Sequence, residues 1–144
     1  MALLHLSAFD EDDLAVISAA MQDAIILTAD IKYLKREHRF ALIASRFVWE
    51  TAEEGKTQPF ERRRTGLHFE GVMSVKLHRI LQGTGDAVLS LLSITFEKGD
   101  PPGGTIVLNF SGGGTIRLGV EAIEAWLRDL GPSWTTERRP CHER

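Results

Sequence analysis

Three consecutive arginines, Arg62, Arg63 and Arg64, stand directly before an apolar stretch that carries His68 and Glu70 in the segment ERRRTGLHFE. Clustered guanidinium groups suit bidentate recognition of phosphate or carboxylate. Arg46 and Lys76, on strands expected alongside, could extend the cluster. Trp49 and Phe60 lie near the same loop, and aromatics beside arginines are typical contact anchors. Two features weigh the other way. Glu61 abuts the run and Glu53 and Glu54 share its loop, while charges at the start of a strand act as gatekeepers against edge pairing. The favoured reading is a solvated flank; anion binding through Arg62–Arg64 is the alternative.

The remaining reactive residues assemble less. His68 and Glu70 at i, i+2 could supply two metal ligands, but His78 would lie about 33 Å from His68 along a straight strand. His5, His38 and His142 show no ligand spacing, so solvated histidines and no metal are expected. The SGGG stretch joins two alternating segments and no lysine follows, which makes it a hairpin turn rather than a phosphate loop. Cys141 sits in a polar tail with nothing beside it to lower a thiol pKa. No nucleophile elbow, HExxH or paired-carboxylate signature appears. Glu50, Glu53, Glu54 and Glu70 have polar sequence neighbours that would not shift a carboxyl. No catalytic residue and no cofactor follow from the sequence.

These residues need elements to hold them. Asp10, with Asp13 three residues on, reads as an N-cap with a capping-box partner, and Leu14, Ile17 and Met21 give the helix one buried stripe. The run AIILTADIKYL places Ile25, Leu27, Ala29, Ile31 and Tyr33 on one strand face, and RFALIASRFVWE follows as its antiparallel neighbour. A polar loop with Gly55 and Pro59 leads to the arginines. From Thr65 to Leu81, Leu67, Phe69, Met73, Val75 and Leu77 alternate with His68, Glu70, Ser74, Lys76 and His78, and a bend is expected at Gly71. Val88, Leu92, Ile94 and Phe96 form the inward set of the next strand. Ile106, Leu108 and Phe110 then face Ile116, Leu118 and Val120 across SGGG. The segment VEAIEAWLRDLG reads as a closing helix with Ile123, Trp126, Leu127 and Leu130 buried, stopped by Gly131 and Pro132.

The expected fold class is α+β in one domain spanning 1–144. It has an N-terminal helix, a curved antiparallel sheet or small barrel of about six to seven strands, and a C-terminal capping helix. That order of elements is pleckstrin-homology-like. Residues 132–144 are expected as a flexible or loosely docked tail.

Composition narrows the setting. A chain of 144 residues with 43% hydrophobic and 26% charged residues is long enough to bury a core without staples. A net charge of −3 gives no global attraction for nucleic acid or anionic membrane. No apolar run approaches a membrane span, and MALLHLSAF has no basic leader or cleavage pattern. The single cysteine fits a reducing compartment.

Several stretches, in order, resemble a family of short proteobacterial proteins known only as a domain of unknown function: DLAVISAAMQDA, RFALIASRFVWE, RRRTGLHFEGV, AVLSLLSITFE and GGGTIRLGVEAIEAWLRDLGPSW. The resemblance implies a soluble bacterial cytoplasmic protein of one domain. It implies no reaction and no site. The expected function is a non-catalytic binding or adaptor domain that recognises a protein partner, with a homodimer as one form of that partner. The alternative is anion, phosphorylated-metabolite or RNA binding through the Arg62–Arg64 loop, and an enzyme is the weakest of the three.

Overall fold

The computed structural model describes residues 3–51, 60–80, 87–131 and 134–136. The described elements run β1 (His5–Ala8), α1 (Glu11–Ala20), β2 (Ile25–Leu34), β3 (Arg39–Phe47), β4 (Phe60–Phe69), β5 (Val72–His78), β6 (Val88–Lys98), β7 (Gly104–Phe110), β8 (Thr115–Val120), β9 (Ala125–Asp129) and β10 (Trp134–Thr136). The strands hydrogen-bond in the order β1-β9-β4-β3-β2-β6-β7-β8-β5, with β10 added to the start of β4. All of these pairings are antiparallel.

The sheet is open, yet both of its halves feed one core. Phe40, Leu42, Leu67, Phe69 and Leu127 from the first half join Leu91, Ile94, Ile106, Leu108, Ile116 and Leu118 from the second. Helix α1 packs Leu14 and Ile17 into the same cluster. Its start follows the sequence: the Asp10 carboxylate accepts from the Asp13 backbone N–H at 2.8 Å, and Glu11, Asp12 and Asp13 sit where the helix dipole favours negative charge. Gly71, at φ +68°, ends β4 and sends the chain from the middle of one half to the far edge of the other. The SGGG hairpin turns through Gly112 and Gly113, both at positive φ.

The expected α+β arrangement with helices at both ends is corrected. The described fold is mostly antiparallel sheet with one helix, and it lacks both the capping helix and the pleckstrin-homology-like order. The segment expected to close the fold as a helix is strand β9, held between β1 and β4. Its apolar residues fit either period. Ala125, Leu127 and Asp129 point inward, while Trp126 is half-buried and Leu130 is 46% exposed. Two flanking strands satisfy its backbone groups on both sides, and that tertiary pairing overrides helix propensity. Strand β1 supplies one of those neighbours and is too short to announce itself by alternation.

Three strands reverse phase along their length. In β2 a register shift between Ile26 and Ile31 buries Ile26 and leaves Ile25 and Leu27 exposed, while Ile31 and Tyr33 pack on the core as expected. In β6 a shift between Leu91 and Ser93 buries Leu91 and turns Val88 and Leu92 outward. In β5, Val72 is buried whereas Met73 and Leu77 are exposed, as suits an edge strand. Trp134–Thr136 pairs with Arg62–Phe60; Gly55, Pro59, Cys141 and His142 lie outside the described residues.

Candidate functional site

The three arginines belong to a central strand and do not face one ligand. Along β4 their side chains alternate between the two sheet faces. Arg62 Nη1 donates to the Ser45 carbonyl at 2.9 Å, and its guanidinium lies 5.8 Å from the Phe47 ring centroid. Burial holds its pKa below the ordinary arginine value, against the opposing pull of Asp23. Arg63 is buried and donates to the Gly131 carbonyl at 3.3 Å. Arg64 is exposed. Trp49 is tied down through Nε1, which donates to the Gln22 carbonyl at 3.0 Å, and its ring meets Phe47 edge-on. Phe60 opens β4 opposite Thr136. Lys76 lies opposite Arg117 on the far edge strand β5.

Arg46 is consumed by carboxylates. Its Nε and Nη2 grip Asp129 Oδ1 and Oδ2, each at 2.8 Å, while Nη1 and Nη2 reach Glu50 Oε1 and Oε2 at 2.9 and 2.8 Å. Nη1 also donates to the Phe47 carbonyl at 3.4 Å, so all five N–H groups have acceptors. Asp129 is saturated too: Oδ1 accepts from Thr65 Oγ1 and Oδ2 from the Leu4 backbone N–H, both at 2.8 Å. Burial alone would lower the Arg46 pKa. The hydrogen bonds and charges of Asp129 and Glu50 outweigh it and hold the guanidinium well above its ordinary value. For Asp129, burial raises the pKa and the bonds from Arg46, Leu4 and Thr65 more than reverse it. The bonds from Arg46 likewise hold Glu50 below its ordinary range against partial burial. This triad closes one end of the core and offers nothing to a ligand.

The opposite, outward face of β1, β9, β4 and β3 is different. Cross-strand register sets Ala41, His68, Trp126 and Ser7 in one row and Ile43, Gly66, Arg128 and His5 in the next. They line a cleft of about 660 Å³. His68 and Trp126 stack with ring centroids 5.1 Å apart and planes 14° from parallel, and Phe9 meets Trp126 edge-on at 5.6 Å. Burial lowers the His68 pKa, with Glu70 raising it and Arg39 adding to the lowering. Glu70 Oε2 takes Arg39 Nε at 2.5 Å and lies 3.6 Å from His68 Nε2.

Gly66 forms the floor of that cleft. A Cβ placed there would meet only the Leu130 side chain, at 3.5 Å and beyond, which is ordinary contact. Its φ lies outside the left-handed region. Other strand glycines are crowded: a Cβ on Gly104 would strike the Glu97 carbonyl and the Phe96 ring, and one on Gly119 would strike Ser74. Neither crowding nor backbone angle demands glycine at position 66, although glycine weakens a strand interior.

Of the residues singled out from the sequence, the structure brings His68 and Glu70 together at this face and places Arg64 on the same side of β4, while Arg62 packs on Phe47. It sets Arg46 and Arg63 opposite one another on the inner side and leaves Lys76 on the far edge. Sequence reasoning missed Gly66, Trp126, Arg128 and Leu130 as cleft residues, and Phe9 as the neighbour of Trp126. A glycine inside an otherwise regular strand was the available signal for the first. Among the described residues, no group of three or more His, Cys, Asp or Glu is placed to hold a metal ion, and no helix is long and apolar enough to cross a membrane.

Residues 4–142 match the model of the family described as "Protein of unknown function (DUF2948)", and the chain belongs to that family. No curated protein and no solved structure matches it.

Proposed function

We propose that this member of the DUF2948 family is a non-catalytic binding domain that recognises a protein partner through the cleft centred on Gly66. The observation that carries the reading is Gly66 itself. It leaves a recess in the middle of a central strand, at a cost in stability, where the fold asks for no glycine, and the Leu130 side chain leans over it. Apolar groups lie on this face: Leu130, 46% exposed, lines the cleft with the half-buried Trp126, and Phe9, 58% exposed, meets Trp126 edge-on. Apolar and aromatic side chains around a recess are the usual makings of a contact centre. A cytoplasmic setting agrees with the lone cysteine.

A photo-crosslinking amino acid at position 130, on the rim, tests this in living cells against the same group at Lys76 on β5. The reading expects one discrete adduct from position 130 and none from position 76; an adduct with twice the mass of the chain identifies the partner as a second copy. Equal labelling from both positions, or none from position 130, contradicts it.

A further inference from the structure

The same face carries a charge pattern that specifies the partner, on the assumption that the cleft binds protein. Arg128 pairs directly with Gly66 in register, so the two side-chain positions point the same way, and Arg64 lies two residues from Gly66 on the same side of β4. Both arginines are exposed, and among the described residues neither guanidinium has a hydrogen-bond or ion-pair partner. Arg39, Arg46, Arg62, Arg63 and Arg117 are all engaged, and the other two exposed arginines without a side-chain partner among the described residues, Arg36 and Arg79, lie away from this face, before β3 and after β5. In a chain of net charge −3, two unpartnered guanidinium groups beside one apolar hollow form a local positive field. The carboxylates Glu121 and Glu124 collect at the other end of the face, around Gly71, beside the Glu70–Arg39 pair. The surface is therefore polar along its length, basic beyond the hollow and acidic before it.

We infer that the cleft takes an extended, acidic protein segment that packs one apolar side chain against the exposed Leu130 beside Gly66 and places its carboxylates on Arg64 and Arg128. Arginine forks match carboxylates bidentately, and the cleft beside Leu130 accepts a side chain that alternation would project from an extended segment. Single-stranded nucleic acid fits less well. It needs free ring faces on which bases stack, whereas His68 and Trp126 each have one face covered by the other and Phe9 meets Trp126 edge-on. Two cations also supply few phosphate contacts.

Fluorescence anisotropy with labelled peptides tests the assignment on the full chain. The probes are an acidic peptide with a central Phe (EEEFEEE), its basic counterpart (KKKFKKK), an acidic peptide without the anchor (EEESEEE), and a ten-residue oligouridylate. The inference expects EEEFEEE to bind at least tenfold tighter than any other probe. The double variant Arg64→Glu/Arg128→Glu is expected to reverse the preference toward KKKFKKK, and Arg64→Gln/Arg128→Gln, which changes less, to abolish it. Equal binding of the acidic and basic Phe peptides, both lost in Gly66→Val, overturns the acidic partner while leaving the cleft as a protein site. Tightest binding of the oligouridylate, or no binding of EEEFEEE at millimolar concentration, overturns the inference outright.

Discussion

At the scale of single residues, the buried triad shows why a charged side chain in a candidate list need not be available. Arg46 is fully enclosed, and its five donors end on Asp129, Glu50 and the Phe47 carbonyl. Removing one member of a buried, saturated pair leaves the other charge stranded, which costs about 3–5 kcal/mol. Asp129→Ala is therefore expected to lower the stability measured by urea unfolding by that amount, and Glu50→Ala, at a half-exposed position, by only about 1 kcal/mol. Acid acts through the same groups. Both carboxyls titrate lower in the fold than in the unfolded chain, where Glu and Asp have ordinary values of 4.5 and 3.8. Their contribution is complete above those values and is lost as pH falls through the lower folded ones. Urea midpoints of the wild-type chain should thus decline more steeply on acidification than those of Asp129→Ala; parallel declines would contradict the triad's role.

At the scale of elements, what could be read from sequence depended on whether one local period decided the outcome. Helix α1 and strands β3, β7 and β8 follow from their patterns, because cap and stripe or strict alternation agree with where they pack. Register shifts defeated the reading of β2 and β6, since an odd number of extra residues, three in β2 (five steps against two) and one in β6 (two against one), swaps the buried set and leaves composition unchanged. Strand β9 was misread because Trp126, Leu127 and Leu130 satisfy a helical stripe, and because nothing local marks Asp129 as an inward residue. Its partner Arg46 lies 83 positions away. Hydrogen exchange checks the outcome. With strands on both sides, the Trp126–Arg128 amides should exchange as slowly as those in the middle of β4, and amides on the free edge of β5 should exchange fast. Rapid exchange throughout β9 would contradict its place between β1 and β4.

At the scale of the whole molecule, a fold that folds both halves of its sheet around one core keeps a weak spot in a central strand. Filling it should help the fold: Gly66→Ala meets only ordinary contact with Leu130 and is expected to add about 0.5–1 kcal/mol of stability. A stability gain at a position that function needs open is the usual trade. The arginine run that draws the eye in the sequence divides between both faces of β4, and of the three only Arg64 is exposed with an unengaged side chain among the described residues. The most direct measurement is the crosslinking yield from position 130 in the Gly66→Val chain, read together with its thermal unfolding. The account predicts a chain that still unfolds cooperatively and loss of the adduct. An undiminished adduct from an equally stable Gly66→Val chain would contradict the cleft as the binding site.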